Sequence, residues 1–338
     1  MGMFFIIIYK KITNTPVAIQ KFSFLSIFYI FVIKLLYPKH MKHFYLIIML
    51  LFGTIANGQV STYLQQFKDT NRSNPKLEQK ILNESSDFLN QVIPFTTDSL
   101  KQVRLKAYYL IFKKGLNSTP ENQSAYINKL LNGCNDAETS IIGQNLIWLQ
   151  AFPKQVFNLE AQTKINQLLQ NNRLPHRNKA ILLAGYVNTG QDILKQAILQ
   201  PDITEKEKWI VHLALARTGY EKSISFCIEK VENIDLNNQT VELILPNLIY
   251  TRQPELLNIC IRHLYNNDKN CFLSDPDNER QIVCGYRIME LLAPVIEGFP
   301  YKTDATGTLV TENYTKALTV VREWFNQNQN YQIKNNFF

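Results

Sequence analysis

The chain has 338 residues and a formal charge of +8, from 36 Lys and Arg against 28 Asp and Glu. Residues 1–58 concentrate that excess, with Lys10, Lys11, Lys21, Lys34, Lys39 and Lys42 and neither an acid nor an arginine, so residues 59–338 carry 30 basic against 28 acidic side chains. A body this close to neutral offers no basic stripe for a phosphate backbone, and nucleic acid is excluded as the expected partner.

Residues 1–40 contain an apolar run from Phe22 to Ile33 that Lys34 interrupts, short of the ~20 residues a membrane span needs. They read as an over-extended start or as a membrane segment. Residues 41–58 have the layout of a signal peptide. Lys42 and His43 form a basic start, Phe44 to Phe52 is apolar, and Ala56 and Gly58 are small residues placed for cleavage between Gly58 and Gln59. The expected location is therefore exported, periplasmic or extracellular. Membrane attachment is expected only if the leader is retained.

Residues 59–97 read as an N-terminal arm and capping helix. Leu77, Ile81, Leu82, Phe88, Leu89 and Val92 share one helical face, and Pro94 is expected to end it. Residues 98–265 then repeat one pattern, an apolar helix, a turn and an amphipathic helix. Leu100 to Leu116 is the first such helix, with Gly115 as its stop signal. Thr119, Pro120 and Glu121 supply the cap, the first-turn proline and the acid that open the next. Turn markers at Gly115, Phe152, Gly190, Gly219 and Arg252 are separated by 37, 38, 29 and 33 positions. Helix pairs recurring at about that spacing are the signature of a stacked α-solenoid. Pro246 interrupts one of these helices and is expected to kink it.

Leu183 and Ala184 ahead of Gly190, and Leu213 and Ala214 ahead of Gly219, each followed by an acid-led second helix, resemble HEAT-type repeats of the armadillo-like superfamily. That resemblance implies an all-α chain, an α-solenoid of about five to six stacked hairpins behind an apolar N-terminal leader. It also implies binding of another protein along the concave face, and so a protein-binding scaffold in a bacterial cell envelope. Residues 266–330 read as a C-terminal helical cap with two irregular loops, and residues 331–338 as a frayed tail.

Cys227 and Cys260 have apolar neighbours and read as core, while Cys134 is a further thiol. Cys271 and Cys284 bracket a loop containing Asp275, Asp277 and Glu279, and a disulfide between them suits an exported chain. Cys260 and His263 with Cys271 and Cys284 form a second, weaker possibility, a four-ligand zinc set whose spacing matches no established pattern. His212 lies in an apolar run and reads as a hydrogen-bonded core residue. No nucleophile elbow, phosphate loop or His-Glu-x-x-His helix appears, so no catalytic residue and no cofactor is expected. Two other functions stay open: an enzyme or accessory subunit with a site in residues 266–309, and a membrane-tethered structural protein.

Overall fold

A computed structural model describes residues 58–84, 87–272 and 280–338, and Val60–Phe338 make up one compact unit. The sequence reading of residues 1–57, and of Asp275, Asp277 and Glu279, lies outside the described residues. Those described are predominantly helical. α1 (Gln59–Thr70) and α2 (Pro75–Glu84) come first, followed by a short α3 (Phe88–Val92) that runs into a 3₁₀ turn at Ile93–Thr97. The single helix expected from Leu77 to Val92 is thus in pieces. Pro94 sits in the first turn of the 3₁₀ segment, where its missing N–H would have had no intrahelical partner.

Five helix pairs follow: α4 (Lys101–Leu116) with α5 (Pro120–Gly133), α6 (Thr139–Leu149) with α7 (Leu159–Gln170), and α8 (Arg177–Val187) with α9 (Gln191–Ile198). Then come α10 (Glu205–Arg217) with α11 (Glu221–Val231), and α12 (Leu245–Thr251) with α13 (Pro254–His263). The first helix of each pair packs on the first helix of the next, from α4 to α6, α8, α10 and α12. Second helices do likewise from α5 to α7 and α9, and from α11 to α13.

The burial pattern explains this division of labour. Leu183 to Val187 in α8 and Val211 to Ala216 in α10 are buried without a break, as expected of helices covered on every side. In α11 only Ser223, Ile224, Cys227 and Val231 are buried, the single stripe of an amphipathic outer helix. Small residues let the inner helices meet closely. A Cβ on Gly185 of α8 would lie 2.7 Å from both Cα and O of Ala214 in α10.

Polar bonds bind successive pairs at a recurring sequence separation. Arg104 reaches Asp136 across 32 positions, Asn128 reaches Glu160 across 32, Arg217 reaches the carbonyl of Tyr250 across 33, and Tyr186 reaches the carbonyl of Phe152 across 34.

The turn markers carry different physics. Gly190, Gly219 and Arg252 all adopt the left-handed conformation, with φ of 68°, 84° and 56°. Gly115 does not stop α4 but lies within its last turn, where the missing Cβ makes room for Tyr126 and Phe152. Thr119 caps α5 by position, yet its hydroxyl accepts from the Asn122 side chain rather than from the helix backbone. Pro246 produces more than a kink. A π-helical turn at Thr240–Ile244 runs directly into α12, and the proline sits in the first turn of that α-helical segment.

Beyond α13 the chain forms a two-stranded antiparallel ribbon, β1 (Cys271–Phe272) with β2 (Gln281–Ile282), in the register Cys271 opposite Ile282. The sequence reading missed it, because two-residue strands carry no periodicity. α14 (Gly285–Leu292) packs on α12 and α13, and α15 (Tyr314–Gln327) packs on α14, capped by Asn313, whose side chain accepts from the Lys316 N–H at 2.9 Å.

Residues 331–338, expected to fray, are anchored instead. Glu297 N–H donates to Gln332 O and Lys334 N–H to Val295 O, both at 2.9 Å, around the bridge between Ile296 and Ile333. Tyr331 Oη donates to Asn258 Oδ1 at 2.9 Å, and Gln155 Nε2 to Asn336 Oδ1 at 3.0 Å. The tail therefore reaches from α13 back to the turn after α6.

Candidate functional site

Cys227 and Cys260 are buried and unpaired, as the core reading expects, and Cys134 is buried and unpaired as well. Burial alone pushes the Cys227 thiol up to about 12, so it stays protonated and inert. Cys271 and Cys284 form a disulfide, with Cα atoms 5.0 Å apart. That bond corrects the four-ligand zinc set, because a disulfide sulfur is no thiolate ligand. Among the described residues no group of three His, Cys, Asp or Glu side chains is placed to hold a metal ion. Cys260 donates to Leu256 O within its own helix, and His263 sits in the last turn of α13. Gly58 immediately precedes α1 and Gln59 is its first residue.

Closure of a 13-residue separation by a disulfide contributes about 3 kcal/mol through loop entropy. Replacing the pair (Cys271→Ser with Cys284→Ser) should lower the unfolding free energy by about that amount in urea titrations. Thiol counting on denatured, unreduced protein should find three reactive groups, and five after reduction.

His212 is buried in α10. Its Nδ1 lies 3.0 Å from Ser223 Oγ, and its ring stacks on Phe226 with centroids 3.7 Å apart. Burial, aided by the nearby Lys208 charge, pushes its pKa down to about 4. The unfolded chain, with a pKa near 6.5, takes up that proton first. The stability this group contributes is therefore complete above about pH 6.5 and is lost as pH falls toward 4, by roughly 3 kcal/mol at most. In urea titrations at pH 7 and pH 4.5, the gap between wild type and His212→Gln should narrow or reverse at the lower pH.

Polar groups converge elsewhere, on the last turns of α8, α10 and α12. Tyr186, Arg217 and Tyr250 occupy those turns, and Arg252 follows α12 as its left-handed cap. The Arg217 guanidinium lies 5.5 Å from the Tyr186 ring centre and 5.2 Å from that of Tyr250, an aromatic cradle for a cation. Arg217 Nη1 donates to Tyr250 O in the last turn of α12, and Arg252 Nη1 to Ile249 O, which also accepts the Arg252 N–H. Helix C-termini also favour positive charge.

Their remaining donors point at the tail. Arg217 Nη2 donates to Phe337 O at 2.9 Å, Arg252 Nε to Lys334 O at 3.1 Å and Arg252 Nη2 to Phe338 O at 3.2 Å. The Phe338 ring packs 5.5 Å from Tyr186 and 5.2 Å from Tyr250, while the Arg252 guanidinium lies 5.2 Å from the Phe337 ring. Tyr186 Oη is within hydrogen-bond reach of both Phe152 O and Asn336 O.

Electrostatically this row is under load. Burial, and then the Arg217 charge, push Arg252 down to about 9, and burial also lowers Arg217. Both guanidinia remain charged at neutral pH, and these acceptors are main-chain oxygens, one of them on the terminal residue Phe338.

Sequence reasoning missed this row. The available signal was an arginine closing the apolar run of α10 and another standing where Gly190 and Gly219 mark the neighbouring turns.

These features define an all-α protein of consecutive helix pairs whose own C-terminal segment lies across a buried arginine–tyrosine row. No protein-family profile, curated protein or solved structure matches the chain.

Proposed function

We propose that the chain is an exported, HEAT-like α-solenoid that acts as a non-catalytic protein-binding scaffold. The observation that carries this reading is the repeat of one packing relation. Inner helix lies on inner helix from α4 to α12, with polar bonds joining successive pairs at separations of 32 to 34 residues. An array built this way presents equivalent helix ends side by side, a continuous surface suited to an extended partner. The disulfide supports export, since such bonds persist in oxidising compartments.

A catalytic site in residues 266–309 has less support. The Asp304 carboxylate is taken up within its own turn, accepting the backbone N–H of Thr306 at 2.8 Å and of Thr308 at 3.1 Å. The tethered alternative rests on the leader. Among the described residues no helix is long and apolar enough to cross a membrane.

The test is isolation of the endogenous protein from envelope fractions under native conditions, with cross-linking and mass spectrometry. A stoichiometric polypeptide partner and a mature N-terminus at Gln59 are expected. A chain that runs alone from every fraction overturns the scaffold, and an N-terminus within residues 1–40 overturns cleavage.

A further inference from the structure

The end of α15 runs into a polar stretch that the fold uses only in part. Residues 326–332 hold six primary amides around Tyr331. Two of them are committed to structure: Asn326 Oδ1 accepts Tyr265 Oη at 2.8 Å, and Asn328 Nδ2 donates to Trp324 O at 2.8 Å. The side chains of Gln327, Gln329, Asn330 and Gln332 bond to nothing among the described residues, and neither do the Glu297 carboxylate and the Trp324 indole N–H. These six groups belong to the lining of one open cleft of about 580 Å³, at the turn from α15 into the tail. The backbone that carries them is held in place. Asn328 N–H donates to Trp324 O and Glu297 N–H to Gln332 O, both at 2.9 Å. The half-buried Trp324 ring leans on Phe299 and Phe325, with centroids 6.2 and 5.1 Å away.

The chemistry of the lining narrows the ligand by exclusion. Among the described residues it holds no lysine or arginine and a single carboxylate, which disfavours an anion. One carboxylate also falls short of the oxygen cage that calcium takes. An apolar molecule would strip water from the amides and leave them unpaired. A neutral molecule rich in groups that both donate and accept has none of these faults. Sugar hydroxyls do both, and each primary amide offers two donors and an acceptor in return. The electron-rich face of an indole takes polarised C–H groups much as it takes an aromatic edge, and a pyranose ring presents a row of them. The volume falls within the ~300–1,000 Å³ of small-molecule sites.

We propose that this cleft binds a neutral oligosaccharide, with Trp324 against the C–H face of a pyranose ring and Gln329, Asn330, Gln332 and Glu297 bonding its hydroxyls. Glycoside cleavage ordinarily takes two carboxylates, and the lining supplies one, so the sugar is held without being cut. The cleft lies outside the helix pairs on which the scaffold reading rests, and either can fail alone.

The test titrates the full chain with cellotriose, maltotriose, mannotriose and triacetylchitotriose, read by saturation-transfer NMR. At least one should bind with a Kd of about 1 mM or tighter and be recovered intact. Gln329→Ala with Gln332→Ala should weaken that binding about tenfold, through two lost hydrogen bonds. Both side chains are exposed and unbonded, so this variant keeps its fold, as an unchanged melting curve would verify. Trp324→Ala should abolish binding, and Trp324→Phe, which keeps a ring, should restore part of it. Failure of all four sugars at about 10 mM, or binding that ignores the amide pair, overturns the site. If a neutral Gly-Gln-Gly-Asn-Gly peptide binds through the same amides while every trisaccharide fails, the cleft takes polypeptide and the proposal falls.

Discussion

Asp136→Ala should lower the unfolding free energy by about 3–5 kcal/mol, the range seen when one member of a buried ion pair is removed. Asp136 takes both arms of Arg104, Nε to Oδ2 at 2.8 Å and Nη2 to Oδ1 at 3.0 Å. Its Oδ1 also accepts the Glu138 N–H at 2.8 Å, which orders the start of α6. The side chains are 13% and 5% exposed, so water cannot replace the lost partner. Arg104 would keep only its Nη1 bonds to the carbonyls of Asp98 and Ser99. Pairing Asp136→Leu with Arg104→Met should recover much of the loss, because two apolar side chains leave no buried charge. Urea titration of the three variants decides it. A loss below about 1 kcal/mol for Asp136→Ala would mean the pair behaves as a solvated surface bridge.

Gly185→Ala should destabilise by about 2–3 kcal/mol even though alanine is the better helix former. The new methyl would meet Ala214 Cα and O at 2.7 Å and Tyr250 Oη at 2.6 Å. Two of those three atoms are backbone and cannot turn aside. The helices α8 and α10 would have to separate, or Tyr250 would have to leave its bond to Leu182 O. Gly219→Ala is the control. Its Cβ meets nothing within 4 Å, so its cost is the left-handed backbone alone, about 1 kcal/mol. If the two variants melt alike, the contact between α8 and α10 is looser than the distances state.

The helices were legible because their apolar periodicity is local. Leu183 to Val187 and Val211 to Ala216 announce buried inner helices, and Ile224, Cys227 and Val231 announce a one-sided outer one. Single residues were harder. Gly115 reads as a stop signal, yet it serves the approach of Tyr126, a tertiary demand with no local trace. Pro246 signals a disturbance without saying whether the helix bends or widens into a π turn. The Cys271–Cys284 pairing was legible from loop position, whereas the ribbon it joins was too short to register. The tail was illegible for a stronger reason. Its partners Arg217, Arg252 and Tyr186 lie 120, 82 to 86 and 150 positions away, so an Asn-rich end looks like a frayed one.

The central claim is that residues 331–338 occupy the arginine–tyrosine row rather than hanging free. Hydrogen exchange of the full chain, read by mass spectrometry at peptide resolution, tests it most directly. Lys334 N–H, bonded to Val295 O, and Glu297 N–H, bonded to Gln332 O, should exchange well below free-peptide rates. With Arg217→Met and Arg252→Gly combined, that protection should fall in the tail and at Glu297 while α4 to α7 keep theirs. Free-peptide exchange throughout 331–338 in the wild-type chain would contradict the account.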